Sequence, residues 1–242
     1  MRIALASYRC KNRDVSFNIE QIERAMQQVQ GKVDLICFGE AFLQGFDALC
    51  WDYDTDKNIA VETDSPIIRQ LARLTAVYNV ALMTGYLEKD QDSLYSSCIV
   101  IENGKTLHHY RRISKGWKDF RKTDRHYKEG NTVKEFDFHH IKIITALCGD
   151  MWDFPEQFKT GHLLIWPVYV DFSRNEWEET ALEEYAKQAA LVANHVLMIN
   201  PIGDEPQCHG GSFYFCKGKV LAKLPFDEET VLVIDTETWN IS

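Results

Sequence analysis

Ile141-Lys142-Ile143-Ile144-Thr145-Ala146-Leu147-Cys148-Gly149-Asp150-Met151-Trp152-Asp153-Phe154-Pro155-Glu156 is an apolar run that stops at a cysteine and breaks into a glycine-led turn. It reads as a buried strand, Ile141 to Leu147, delivering a thiol to its carboxyl end. Cysteine on such an elbow gains exposure, and the backbone N–H groups of the turn can face a developing oxyanion. By itself the segment favours a plainer reading, because most cysteines are small buried hydrophobes. The rest of the chain has to decide.

Upstream, Arg2 to Tyr8 reads as a strand. Asn18 to Gln30 reads as a helix, with Ile19, Ile22, Ala25 and Val29 on one face and Gly31 as its stop. Val33 to Phe38 is a buried strand that ends in Gly39-Glu40. A β-α-β opening of this length signals a layered α/β fold. Asp47 to Glu62 is a polar, aromatic loop with little period. Ser65 caps a helix that has Pro66 at its first position and runs to Tyr78. Val80 to Tyr86 is a strand, and Tyr95–Ile101 with Thr106–Arg112 forms a hairpin about Asn103-Gly104. Thr132–Phe138 and Ile141–Leu147 make a second hairpin through His139-His140.

Downstream come a strand from His162 to Val168, a helix from Trp177 to Asn194 and a strand from Val196 to Ile202. The hairpin Ser212–Cys216 with Lys219–Leu224 and a last strand, Thr230 to Asp235, complete the chain. With no repeat, linker or Pro/Gly-rich seam, the expectation is one domain over residues 1–242.

Composition bounds the function. The 242 residues are 45% hydrophobic and 12% aromatic, enough for a sizeable core. The formal charge of -9 argues against nucleic acid or an anionic membrane surface as partner. No run approaches the ~18 apolar residues of a membrane span, and Lys11 and Arg13 come too early for a secretory leader. A soluble, cytoplasmic protein is expected. Seven cysteines without C-x-x-C spacing exclude a zinc ribbon and argue against a disulfide framework. Cys37 and Cys98 lie in apolar strands and read as core.

Glu40, like Cys148, directly follows a buried strand, and in layered α/β proteins the carboxyl ends of strands converge on one crevice. A glutamate beside a thiol can withdraw its proton and later activate water; a capping or solvated carboxylate is an equal reading. Attack on a carbonyl builds negative charge on oxygen, so a third partner should be cationic. The strand end Tyr110-Arg111-Arg112-Ile113-Ser114-Lys115-Gly116-Trp117-Lys118 offers four candidates.

At this point the chain resembles the carbon–nitrogen hydrolase, or nitrilase, superfamily over essentially its whole length. Asn18, Phe38-Gly39-Glu40, the hairpin Tyr95-Ser96-Ser97 to Tyr110-Arg111-Arg112, and Cys148, Asp150 and Phe154-Pro155-Glu156 occur in that family's order. So do Trp177, Tyr185 to Asn194, Asn200 and Gly211-Ser212. The resemblance implies a four-layer αββα sandwich and thiol-dependent hydrolysis of a small non-peptide amide, a carboxamide or N-carbamoyl compound, without metal or cofactor. It implies a small-molecule partner and a homodimer or larger homo-oligomer. Carried over, Cys148 is the nucleophile, Glu40 the general base and the Gly149 N–H an oxyanion donor.

The family's lysine position holds Arg112, and arginine is no conservative replacement for lysine in a tight pocket. Either Arg112 serves, or Lys115 or Lys118 reaches in from the loop, with Lys118 slightly favoured because Gly116 allows a turn and Trp117 a pocket wall. Gly39, where the family has proline, should affect loop rigidity. In the resemblance Asp124 is the better counterpart of a second acidic residue that pairs with the family's lysine and Glu129 a poorer one, while a solvated charge in a polar loop is the favoured reading for either. Asp150 is expected either to orient the turn beneath Cys148 or to cap the short helix that follows, with capping favoured, and His209 to be a loop residue. Trp152, with Trp166, Tyr169, Phe172 and Trp177, lines a substrate pocket, packs the core or forms an interface. A ligand-binding protein that has lost catalysis and an amide-forming acyltransferase remain alternatives.

Overall fold

A computed structural model describes residues 1–204 and 208–241. The strands are β1 (Arg2–Ser7), β2 (Leu35–Cys37), β3 (Ala81–Asp90), β4 (Ser93–Glu102), β5 (Lys105–Arg111), β6 (Phe136–Phe138), β7 (Ile141–Thr145), β8 (Leu163–Pro167), β9 (His195–Ile199), β10 (Ser212–Cys216), β11 (Lys219–Lys223) and β12 (Thr230–Asp235). They form two mixed six-stranded sheets, ordered β12-β1-β2-β3-β4-β5 and β11-β10-β9-β8-β7-β6. The helices are α1 (Val15–Val29), α2 (Tyr53–Asp56), α3 (Pro66–Tyr78), α4 (Asp150–Asp153), α5 (Arg174–Glu176) and α6 (Leu182–Ala190).

β1 shows how the layers arise. Ile3 and Leu5 point into the core shared by the two sheets, whereas Ala4 and Ala6 meet α1 and α3 on the other face. A strand covered on both faces must be apolar throughout, which is why its sequence does not alternate. On the far side, Tyr185, Ala186 and Ala189 of α6 join the cluster that holds β7 to β10. The result is the expected αββα sandwich, with the carboxyl ends of β2 and β7 at one end.

Several boundaries differ from the sequence expectation. α1 starts a turn before Asn18, capped by Asp14, whose carboxylate accepts from Phe17 N at 3.0 Å. Asn18 is buried and its side-chain amide donates to Lys11 O and Leu43 O. The helix expected from Trp177 begins earlier, at Arg174 with Ser173 as cap, passes through a π turn at Trp177–Ala181 and ends at Ala190. The segment before Phe136 is not strand. The Asp47–Glu62 loop contains α2 and is built on fully buried Asp56, which accepts from Cys50 N, Trp51 N and the Tyr127 hydroxyl. No helix among the described residues is long and apolar enough to cross a membrane.

The far edges of the two sheets meet through His108 on β5, stacked on Phe136 of β6 with ring centroids 4.4 Å apart. Its Nε2 is buried without a partner among the described residues, and burial, aided by His109, pushes its pKa down to about 4. An unfolded chain takes the proton near the ordinary ~6.5. The contribution is therefore full above that value and lost as pH falls from ~6.5 towards 4. Between those two pH values the wild-type melting temperature should fall about 2–6 °C further than that of His108→Phe. Parallel curves would remove His108 as the cause.

Candidate active site

β2 delivers Phe38, Gly39 and Glu40. The Glu40 N–H donates to Val168 O at 3.1 Å, so this turn of the first sheet is tied to the end of β8 in the second. A side chain on Gly39 would place Cβ 2.5 Å from Pro201 Cδ and 2.8 Å from Val168 O. Glycine there permits the close packing of this turn on Pro201 and Val168, a constraint the sequence did not show.

The Glu40 carboxylate is 0% exposed. Oε1 accepts from Ser96 Oγ at 2.7 Å, and Arg112 Nη1 donates to Oε1 at 2.9 Å and Oε2 at 3.1 Å. Arg112 follows β5, is 3% exposed, and is anchored by its N–H to Ser96 O. Its Nε donates to Ser114 Oγ at 2.7 Å. Nη2 lies over Gly149, where an added Cβ would sit 2.5 Å from it. Burial works against the guanidinium charge, but Glu40, Cys148 and Asp150 hold its pKa above the ordinary arginine value.

Cys148 turns at φ +40° three residues past β7. Its N–H donates to Pro167 O, its carbonyl accepts from Trp166 Nε1, and Sγ faces Tyr169 O at 3.8 Å. Burial pushes the thiol up to about 12, Glu40 adds to the rise, and Arg112 opposes it. At neutral pH the sulfur is therefore protonated and needs a base.

Asp150 departs from its favoured capping role. Oδ1 accepts from Ile113 N at 3.0 Å and Ser114 N at 2.7 Å, and Oδ2 from Leu147 N at 2.9 Å and the Tyr110 hydroxyl at 2.6 Å. The carboxylate thus joins the turn after Arg112 to the cysteine elbow. Burial raises its pKa, against the pull of Tyr110 and Arg112.

The loop candidates make no hydrogen bond or ion pair with Glu40 or Cys148 among the described residues. Lys118 Nζ is held by Tyr127 O at 2.5 Å and by Glu129 at 2.5 Å, and Lys115 is exposed. Lys118, slightly favoured from sequence, is corrected on that ground, and Arg112 is the cation beside Glu40. Asp124 is likewise corrected: it bonds its own loop, through His126 N and the His126 ring, and makes no contact with Arg112. Trp117 packs with Ala41, Leu87, Leu94 and Tyr127. His209 pairs with Asp227.

Trp166 and Trp177 are 0% exposed and belong to the core, whereas Trp152 is 41% exposed at the rim. Trp152 stands edge-on to Tyr185, 5.1 Å between ring centroids. Burial raises the Tyr185 hydroxyl pKa and the Cys148 thiol adds to it, which puts Tyr185 within the field of the site. The signal in the sequence was only that Tyr185 to Asn194 falls where the family has similar residues, which assigns Tyr185 no place at the site. The Asn103-Gly104 turn by itself would set Ser97 opposite Tyr110; a bulge between Val100 and Ile101 shifts the pairing by one, so that Ser97 faces Arg111 and Ser96 O accepts from the Arg112 N–H, a shift the sequence does not signal. Among the described residues no group of three or more His, Cys, Asp or Glu side chains is arranged to hold a metal ion.

A carboxylate, a buried cation and a thiol on an elbow thus converge from β2, β5 and β7. The carbon-nitrogen hydrolase family model matches residues 2–238. The chain belongs to the carbon-nitrogen hydrolase family. A CN-hydrolase superfamily protein of Xanthomonas campestris, solved with an arsenic adduct in its active site, superposes with a TM-score of 0.78 at 16% identity, covering 99% of this chain and 92% of that one. A mutant amidase of Nesterenkonia AN1 from the nitrilase superfamily gives 0.78 at 16%, covering 97% and 90%. In sequence, the glutamine-dependent NAD(+) synthetase of Thermotoga maritima is 23% identical over 63% of this chain and 26% of its own length. The nitrilase of Meyerozyma guilliermondii is 29% identical over 37% of this chain and 32% of its own. The chain thus spans about a quarter to a third of the curated relatives it matches.

Proposed function

We propose that this protein hydrolyses a small non-peptide amide, a carboxamide or N-carbamoyl compound, through a thioester on Cys148. The observation that carries the reading is the single guanidinium that pairs with Glu40 on one side and overhangs Gly149, next to Cys148, on the other.

Glu40 takes the thiol proton as Sγ attacks the carbonyl carbon, and the carbonyl π electrons move to oxygen. That oxygen is met by the Gly149 N–H and Arg112 Nη2, donors already in place and largely out of water. Glu40 then passes the proton to the departing nitrogen, the C–N bond breaks, and ammonia or an amine leaves. Water enters, Glu40 deprotonates it, and attack on the thioester returns the acid and the free thiol. Retention of both Glu40 and Cys148 favours hydrolysis over a lapsed binding fold.

The test is intact-mass spectrometry after exposure to pooled small amides. The pool should include primary carboxamides, since one relative is named for its dependence on glutamine. An acyl adduct mapping to Cys148 is expected. Arg112→Ala should slow turnover of the responding amide by ~10²-fold or more, as removal of an oxyanion donor does, while Lys118→Ala keeps the wild-type rate. Absence of any adduct and any turnover would remove the assignment.

A further inference from the structure

Arginine at position 112 has a receptor built around it. Glu40 takes Nη1, Ser114 Oγ takes Nε, and Gly149 leaves room for Nη2. Ser114 is fully buried, and its backbone N–H is fixed by Asp150 at 2.7 Å. A Cβ on Gly149 would stand 3.1 Å from Ser114 Oγ as well as 2.5 Å from Nη2. Serine, guanidinium and glycine therefore fill one volume beside the cysteine elbow.

From this contact we infer that Ser114 is a positioning residue matched to arginine: its hydroxyl accepts from Nε and so fixes the rotation of the guanidinium plane that aims Nη2 over Gly149. Both contacts to Glu40, at 2.9 and 3.1 Å, leave from the one nitrogen Nη1, which by itself is a pivot for the fork. A second bond from Nε, on the opposite flank, removes that freedom. Lysine has one nitrogen at the tip of a flexible stem and no donor where Nε lies, so Ser114 has nothing to hold in an Arg112→Lys protein. The proposal rests on the hydrolase reading for its consequence in turnover but not for its test.

The test is a double-mutant cycle of Ser114→Ala with Arg112→Lys, read in two ways. The first readout needs no substrate: the pH dependence of Cys148 alkylation by iodoacetamide, mapped by peptide mass, with exposed Cys50 as internal control. Arg112 opposes the rise in the Cys148 pKa, so a loosened guanidinium should slow alkylation. A slowing of about tenfold corresponds to one pKa unit. The second readout is kcat on any amide found to turn over, where loss of a hydrogen bond to a charged group predicts a fall of ~10–100-fold with little change in KM.

Both losses are expected when Arg112 is present and should vanish in the Arg112→Lys background. Equal losses in the two backgrounds, or no loss in either, would overturn the pairing. Should Ser114→Ala not fold, Ser114→Gly removes the same acceptor, and a thermal melt reports folding in each case. If wild-type protein turns over no amide, the hydrolase reading fails while the alkylation cycle still decides the role of Ser114.

Discussion

Cys148→Ala should leave a folded protein that releases no ammonia or amine above background, with a loss of ~10⁴-fold or more. The nucleophile supplies the covalent step, and no neighbouring side chain replaces it. Alanine keeps the Cβ and the elbow, because the hydrogen-bond contact of Sγ to Tyr169 O is long, whereas the backbone of residue 148 bonds Pro167 and Trp166. A melting temperature within a few degrees of wild type should accompany the loss. Persistent turnover would assign the chemistry to another group.

Glu40→Gln should produce two changes in opposite directions. Turnover falls by ~10²–10⁴-fold, the usual worth of a positioned base. Alkylation of Cys148 becomes easier, since the Glu40 charge helps raise the thiol to about 12 while Arg112 opposes the rise. Removing that charge lets Arg112 draw the midpoint down, and the thiolate fraction at neutral pH grows. Buried Arg112 also loses its counter-charge, which costs about 3–5 kcal/mol. At about 2–4 °C per kcal/mol for a chain of this size, melting should drop visibly. Assays therefore belong well below the new transition. A midpoint that moves up, or turnover that is unchanged, would contradict Glu40 as base.

The strands that carry the site were legible from sequence because each is short, apolar and stopped by a marked residue. Val33 to Phe38 closes on Gly39-Glu40, and Ile141 to Leu147 closes on Cys148. The hairpin ending at Arg112 is fixed by Asn103-Gly104, whose left-handed φ values of +45° and +77° suit those two residue types. What lay hidden depends on paths through loops. Arg112 and Lys118 are both basic and both near a strand end. Only folding reveals that Glu129 and Tyr127 O capture the lysine.

Asp150 realises the less favoured of its two readings, orienting the turn beneath Cys148, for a related reason. An aspartate beside a helix start usually caps that helix, but this one turns back to bind N–H groups 36 and 37 residues away in sequence. Local propensity cannot report a bond of that span. The same holds for Asp124, whose sequence context matched a functional position while its side chain closes its own turn.

The substitution of guanidinium for ammonium has one more consequence. Lysine discharges near pH ~10.4, whereas arginine holds its proton beyond pH ~12, and the neighbours of Arg112 push it further still. The positive charge over Gly149 is then constant across the pH range in which lysine would titrate. Alkali has no handle on this cation, and the upper edge of the working range passes from the titration of a side chain to the endurance of the sandwich itself.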